Sequence, residues 1–188
     1  MPMNKVLIVI DAQEDFTRGA LRNKEAIKAL PVIHEVVEYA CKNFELPIFY
    51  TQDTHFDNYL ETPEGINLPV KHCIYGTPGR EVCTEVLPSK DFNNFYRIDK
   101  STFAFTNWEE FSELNVCDEI WLCGFCTDIC VSANFQFLKA YYPQAKIVII
   151  EDACAGVTRD LHDAALSVMA SCQAHIITWE NLKENGGS

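Results

Sequence analysis

The chain has 188 residues, 48% of them hydrophobic, and a formal net charge of −12. That length suits one domain with a sheet covered by helices on both faces, and no apolar run approaches the roughly 18 residues of a membrane span. The acidic balance, with no basic cluster, argues against nucleic-acid binding, which needs Lys and Arg to replace phosphate counterions. Met1-Pro-Met-Asn-Lys5 lacks the apolar core of a secretory signal, so a cytoplasmic protein with reduced thiols is expected despite nine cysteines.

In chain order, Val6-Leu-Ile-Val-Ile10 reads as a strand buried on both faces that delivers Asp11 at its carboxyl end. Val32, Ile33, Val36, Val37 and Ala40 supply one helix face, with Pro31 expected in the first turn. Residues 47–51 form a second strand, and the irregular stretch 53–91 is too long for a neutral connector, so it is expected to build the site. Asn94-Phe-Tyr-Arg-Ile98 is a third strand, with Asp99 and Lys100 just past it. Residues 120–123 form a fourth, which stops at Gly124 and turns into a helix over residues 131–142. A fifth strand at 147–150, a helix capped by Asp160 and carrying Leu161, Ala164, Ala165, Val168 and Met169, and a sixth strand at 175–178 complete the pattern. This βαβ alternation implies a mainly parallel sheet in a three-layer α/β/α domain spanning residues 1–183, with residues 184–188 a disordered tail or an expression remnant.

In open α/β sheets the ligand crevice lies at the carboxyl ends of the strands, so Asp11, Lys100 and Cys130 are expected to meet there. The start of a helix favours an anion, and Cys130 is expected to be a thiolate. Cys41, Cys83, Cys117, Cys154 and Cys172 read as small buried hydrophobes. Cys123, Cys126 and Cys130 raise the rival idea of zinc or an iron–sulfur cluster, against which stand a buried strand position for Cys123 and the lack of a fourth ligand. Asp53 and His55, two apart in an extended segment, face one side and form with His72 an oxygen-and-nitrogen site for zinc, manganese or iron.

Four stretches carry a family resemblance: Ile10-Asp-Ala-Gln-Glu-Asp-Phe16, Lys100-Ser-Thr-Phe-Ala-Phe105, Gly124-Phe-Cys-Thr-Asp-Ile-Cys130, and Asp53-Thr-His55 with His72-Cys-Ile-Tyr-Gly-Thr-Pro-Gly79. In that order and spacing they resemble the isochorismatase-like cysteine hydrolases, and the last of them the nicotinamidase branch. The resemblance implies that Cys130 attacks a carboxamide, Asp11 shuttles the proton, Lys100 keeps the pocket cationic, and the Cys126 and Cys130 amides form an oxyanion hole. It also implies a cis peptide at Phe125–Cys126, and a metal that binds a pyridine nitrogen. For the fourth ligand, Glu64 competes with Glu61; the flanking Pro63 and Gly65 favour Glu64. Phe16, Phe103 and Phe105 are candidate walls of an apolar slot for a flat ring. The aromatic residue that often precedes the metal-site histidine is missing, since Lys71 stands there.

The expected activity is conversion of nicotinamide to nicotinate and ammonia, in pyridine-nucleotide salvage. Alternatives are hydrolysis of a carbamoyl or ureido substrate on the same fold, and a non-catalytic binding member. Isochorismatase chemistry proper does not use a thiol. Resemblance further implies a homo-oligomer with a small-molecule amide as its partner, and no membrane or nucleic acid.

Overall fold

The computed structural model describes residues 3–184. Residues 185–188 of the expected tail lie outside the described residues, and Glu184 closes the last helix instead of opening that tail. Among the described residues, no helix is long and apolar enough to cross a membrane.

Six strands form one sheet: β1 (Lys5–Ile10), β2 (Ile48–Asp53), β3 (Phe95–Lys100), β4 (Glu119–Phe125), β5 (Lys146–Ala155) and β6 (His175–Ile177). Their order is β3-β2-β1-β4-β5-β6, and every neighbouring pair is parallel. Each apolar run read from the sequence is a strand. Val6, Leu7, Ile8, Val9 and Ile10 are all 0% exposed, which a strand reaches only when both of its faces are covered.

The α-helices are α1 (Glu14–Thr17), α2 (Lys24–Asn43), α3 (Pro63–Asn67), α4 (Ser132–Tyr141), α5 (Arg159–Ser171) and α6 (Trp179–Glu184), of which α2, α5 and α6 pack on the strands. α2 buries Ile33, Val36, Val37 and Ala40, and it packs along β5, β4 and β1. α6 docks on α2, where the Trp179 ring lies 5.3 Å from Tyr39 and Nε1 donates to Glu35 at 2.9 Å. α4 and α5 pack on each other.

Two helix starts differ from expectation. Asn23 caps α2 by accepting the Glu25 N–H at 2.8 Å, so the helix begins a full two turns early and Pro31 sits inside it. Proline there removes one intrahelical donor, a loss that a long helix with a buried face absorbs. Thr158, not Asp160, caps α5: its hydroxyl accepts the Leu161 N–H at 3.2 Å. Asp160 occupies the first turn, where its charge suits the helix dipole.

The chain lays down β1, β2 and β3 outward in one direction, then returns to the other side of β1 with β4. At such a reversal the loops leaving the two central strands part and open a crevice. Here those strands are β1, which leads into Asp11, and β4, which leads into Cys126 and Cys130.

Candidate active site

β1 ends at Ile10, and Asp11 follows in a left-handed conformation with φ of 46°, which aspartate tolerates better than most residues. Thr51, on the neighbouring strand, donates from Oγ1 to Asp11 Oδ1 at 2.6 Å. Asp11 Oδ2 lies 2.6 Å from Lys100 Nζ and accepts no well-aligned hydrogen bond, so it keeps a lone pair for a further proton. Lys100 is the last residue of β3, in register with Asp53. Its ammonium also reaches Thr102 O at 3.1 Å, Asp53 Oδ1 at 3.5 Å and Cys130 Sγ at 3.7 Å. The structure thus brings Asp11, Lys100 and Cys130 together from three strand ends.

The Cys130 turn depends on one glycine. Gly124 has φ of 117°, and a Cβ there would lie 2.0 Å from the Ile10 carbonyl oxygen, so only glycine lets β4 pass β1 this closely beneath Asp11. The Phe125–Cys126 peptide is cis. A π-helical turn, Thr127–Val131, then precedes α4. The amides of Ile129 and Val131 both donate to the Cys126 carbonyl, at 3.1 and 3.0 Å. Both Cys126 and Cys130 border the cleft.

Burial pushes the Cys130 thiol well above its ordinary value; Lys100 pulls it down, and Asp11 and Asp53 push it up again. That direction runs against the thiolate expected from the helix start. One ammonium and a few backbone N–H groups do not offset complete burial beside two carboxylates. Burial alone would lower the Lys100 ammonium, but the carboxylates of Asp11 and Asp53 outweigh it and hold the amine charged. Asp11 is raised by its burial, against the pull of Lys100 and with a push from Asp53. Burial likewise takes the Cys126 thiol up to about 12. Cys123 is 0% exposed within β4, and Cys123, Cys126 and Cys130 form no donor cluster among the described residues. Of the cysteines read as core, Cys83 and Cys154 are buried and Cys41, Cys117 and Cys172 are half-buried.

Beside this centre lies the other set. Asp53 closes β2, His55 follows it, Glu64 sits in the first turn of α3 and His72 in the loop beyond. One ligand atom from each falls within 4.8 Å of the others. His55 Nε2 is 2.9 Å from Asp53 Oδ2 and 3.6 Å from Glu64 Oε1; for His72 Nε2 the same distances are 3.4 and 3.7 Å. Four atoms about 2.0–2.1 Å from a tetrahedral zinc stand roughly 3.3 Å apart, so the spacing fits a divalent ion. The donor chemistry fits as well. His72 Nδ1 pairs with the Val70 carbonyl at 2.8 Å, which commits Nε2 to the cluster. Burial opposes ionisation of Asp53, but hydrogen bonds from His55 and His72, with Lys100 nearby, hold its carboxyl below the usual range. Glu61 is exposed and outside the cluster.

The donor set and Cys130 line one cleft of about 1540 Å³, while Asp11 and Lys100 are buried behind Cys130. Phe16 and Phe103 also line the cleft. Phe105 does not: its ring turns away to pack on Trp108 at 5.1 Å and Phe111 at 6.1 Å, because an apolar pocket behind the loop offers it more buried contact than the cleft. Part of the irregular stretch 53–91 does supply cleft wall, through His55, Phe56, Tyr59, Glu64 and Leu68.

Several site residues were not singled out in the sequence. Thr51 orients Asp11. Gln13 pins Asp53 from both sides, with Nε2 donating to the Asp53 carbonyl at 2.9 Å and Oε1 accepting the Asp53 N–H at 2.8 Å. Its presence in Ile10-Asp-Ala-Gln13 was the available signal. Tyr59 packs against both imidazoles, 4.6 Å from His55 and 5.1 Å from His72.

Comparison with known proteins places the chain in a family. The isochorismatase domain family model matches residues 5–181. An isochorismatase family protein of Bacillus subtilis strain 168 is 30% identical over 181 residues, covering 90% of this chain and 96% of its own. Among solved structures, a nicotinamidase from Bacillus subtilis is 29% identical, covers 93% of this chain and 99% of that one, and superposes with a TM-score of 0.79. A pyrazinamidase of Pyrococcus horikoshii in complex with zinc is 26% identical over 94% of this chain and 99% of that one, with a TM-score of 0.74. A six-stranded parallel sheet, a cleft at its reversal point and a domain match over nearly the whole length lead to one assignment: this chain belongs to the isochorismatase family.

Proposed function

We propose that this chain hydrolyses nicotinamide to nicotinate and ammonia through a thioester on Cys130. It is a hydrolase acting on an amide, and the narrower substrate is supported by the solved nicotinamidase and pyrazinamidase relatives. The observation that carries it is the shared cleft: a buried acid, cation and thiol stand beside a His₂-carboxylate₂ donor set, with Lys100 touching both.

The residues divide the work as follows. Cys130 Sγ attacks the carboxamide carbon while its proton passes to Asp11 Oδ2, so thiolate and free acid appear together rather than at rest. Lys100 stabilises the sulfur's developing charge. The Cys126 and Cys130 amides receive the oxyanion. Asp11 returns the proton to the departing nitrogen and ammonia leaves a thioester. A water, deprotonated by Asp11, then adds to the thioester carbon, and collapse releases nicotinate and restores the thiol. Asp53, His55, Glu64 and His72 would hold the divalent ion, zinc first and manganese or iron next, which when bound supplies a Lewis acid for a ring nitrogen. Phe16 and Phe103 offer apolar surface to the ring.

A carbamoyl or ureido substrate is the second reading, favoured by the exposed Lys71 where an aromatic wall would stand before His72. Ammonia release from nicotinamide, measured with and without a chelator, tests the proposal. Steady release that the chelator suppresses supports it; no release from the metal-loaded protein refutes it.

A further inference from the structure

Asn134 belongs to neither the acid–cation–thiol centre nor the donor set, yet it is 0% exposed and every polar group of its side chain is used. It sits in the first turn of α4, four residues after Cys130. Its Nδ2 donates to the Cys130 carbonyl at 2.8 Å and to the Phe103 carbonyl at 3.2 Å, and its Oδ1 accepts the Phe105 N–H at 3.0 Å. One side chain therefore joins the turn that carries the nucleophile to the loop that follows Lys100.

That loop, residues 101–105, has no regular secondary structure, so no strand or helix ladder fixes its shape. Its ties are few. Thr102 O accepts from Lys100 Nζ at 3.1 Å, Thr102 Oγ1 donates to Ala104 O at 2.8 Å, and the remaining two run to Asn134. Between those ties projects Phe103, 49% exposed, with its ring on the cleft. A half-exposed ring gains little from its own packing and lies where the backbone beneath it is held.

We propose that Asn134 is a positioning residue that sets the Phe103 wall relative to Cys130, and so governs how a flat ring is seated before attack. This rests on the hydrolysis proposed above for its substrate but not for its geometry. A buried amide with three well-formed partners is costly to leave half-satisfied, so the loop and the nucleophile turn keep one relative position. An aromatic acyl group held against Phe103 then reaches Sγ in one pose.

The test is a double-mutant cycle on Asn134 and Phe103. Asn134→Thr is the informative change, because a threonine hydroxyl in a helix bonds back to the carbonyl four residues earlier, here that of Cys130, while abandoning both loop contacts. KM for nicotinamide is expected to rise about tenfold, the scale of one lost pocket contact, with kcat changed far less. In a Phe103→Ala background the same substitution should change KM less than about twofold, since its target is already gone. Asn134→Leu, which drops all three bonds, should follow the same cycle if it folds; if it does not, the threonine variant decides. Additive effects in the two backgrounds, or an unchanged KM in Asn134→Thr, overturn the proposal. Alkylation of Cys130 by iodoacetamide, located by peptide mass spectrometry, gives a readout free of substrate identity. It should speed up several-fold in Asn134→Thr as the wall loosens, and an unchanged rate overturns the proposal. Failure of the wild-type protein to release ammonia from nicotinamide would instead remove the hydrolysis reading and leave the alkylation result to judge Asn134.

Discussion

Asp11 and Asp53 are the same residue type, buried to nearly the same degree and both within reach of Lys100, yet they are driven in opposite directions. Asp11 has one hydroxyl and one ammonium against complete burial, and its carboxyl is raised, so it has appetite for a proton. Asp53 has two imidazoles as well, and its carboxyl stays below the usual range, an anion kept for a cation. The difference teaches that role follows the partners rather than the residue: pairs of titratable groups pushed apart by their surroundings divide acid–base work from charge binding. Lys100 belongs to both centres and faces the nucleophile as well.

Removing the nucleophile should have the largest effect. Cys130→Ala is expected to lower kcat by on the order of 10⁴-fold or more, whereas Cys126→Ala, which keeps its backbone N–H, should cost less than about tenfold. Equal losses in both, measured by ammonia release, would point to a cysteine cluster and dissolve the division between the two centres.

Next come the partners of the thiol. Asp11→Asn and Lys100→Met should each cut turnover by on the order of 10²–10⁴-fold, the usual contribution of a general acid–base group. Their effects on Cys130 should differ in sign. Losing the cation destabilises the thiolate and moves the alkylation profile to higher pH; losing the carboxylate moves it to lower pH. The wild-type profile should itself inflect above the ordinary thiol value of about 8.5, because burial raises Cys130. Identical profiles in all three proteins would detach these residues from the sulfur.

The donor set should respond in its own currency. His55→Ala and His72→Ala are each expected to lose bound metal and nicotinamide turnover together. Glu64→Ala should weaken metal binding roughly 10–100-fold, and Glu61→Ala should leave it unchanged. Metal content after dialysis checks this, and full retention in His72→Ala would break the cluster as a metal site.

What was legible from the sequence follows the same division. β1 and β4 were readable because strands covered on both faces are continuously apolar; β3 is a largely exposed edge strand that ends in Lys100, and Asp11, Lys100 and Cys130 were joined by the family motifs as well as by their strand ends. Helix starts were less readable. Apolar spacing marks a buried face, but Asn23 begins α2 a stretch before that face becomes continuous, and so Pro31 was assigned a first turn it does not occupy. The upward push on the Cys130 thiol was not readable, because a helix dipole is local in sequence whereas burial and the approach of Asp11 and Asp53 are tertiary. Phe103 and Phe105 look alike on paper. Only the tertiary structure shows that one ring lines the cleft and the other packs on Trp108.

The most direct test of two centres serving one cleft compares nicotinamide with benzamide, which keeps the carboxamide and lacks the ring nitrogen. If the donor set orients the ring while Asp11, Lys100 and Cys130 cleave the amide, kcat/KM for benzamide on the metal-loaded protein should be lower by on the order of a hundredfold, the cost of a misplaced carbonyl. Equal kcat/KM for the two amides would contradict that account and leave the donor set without a part in substrate positioning.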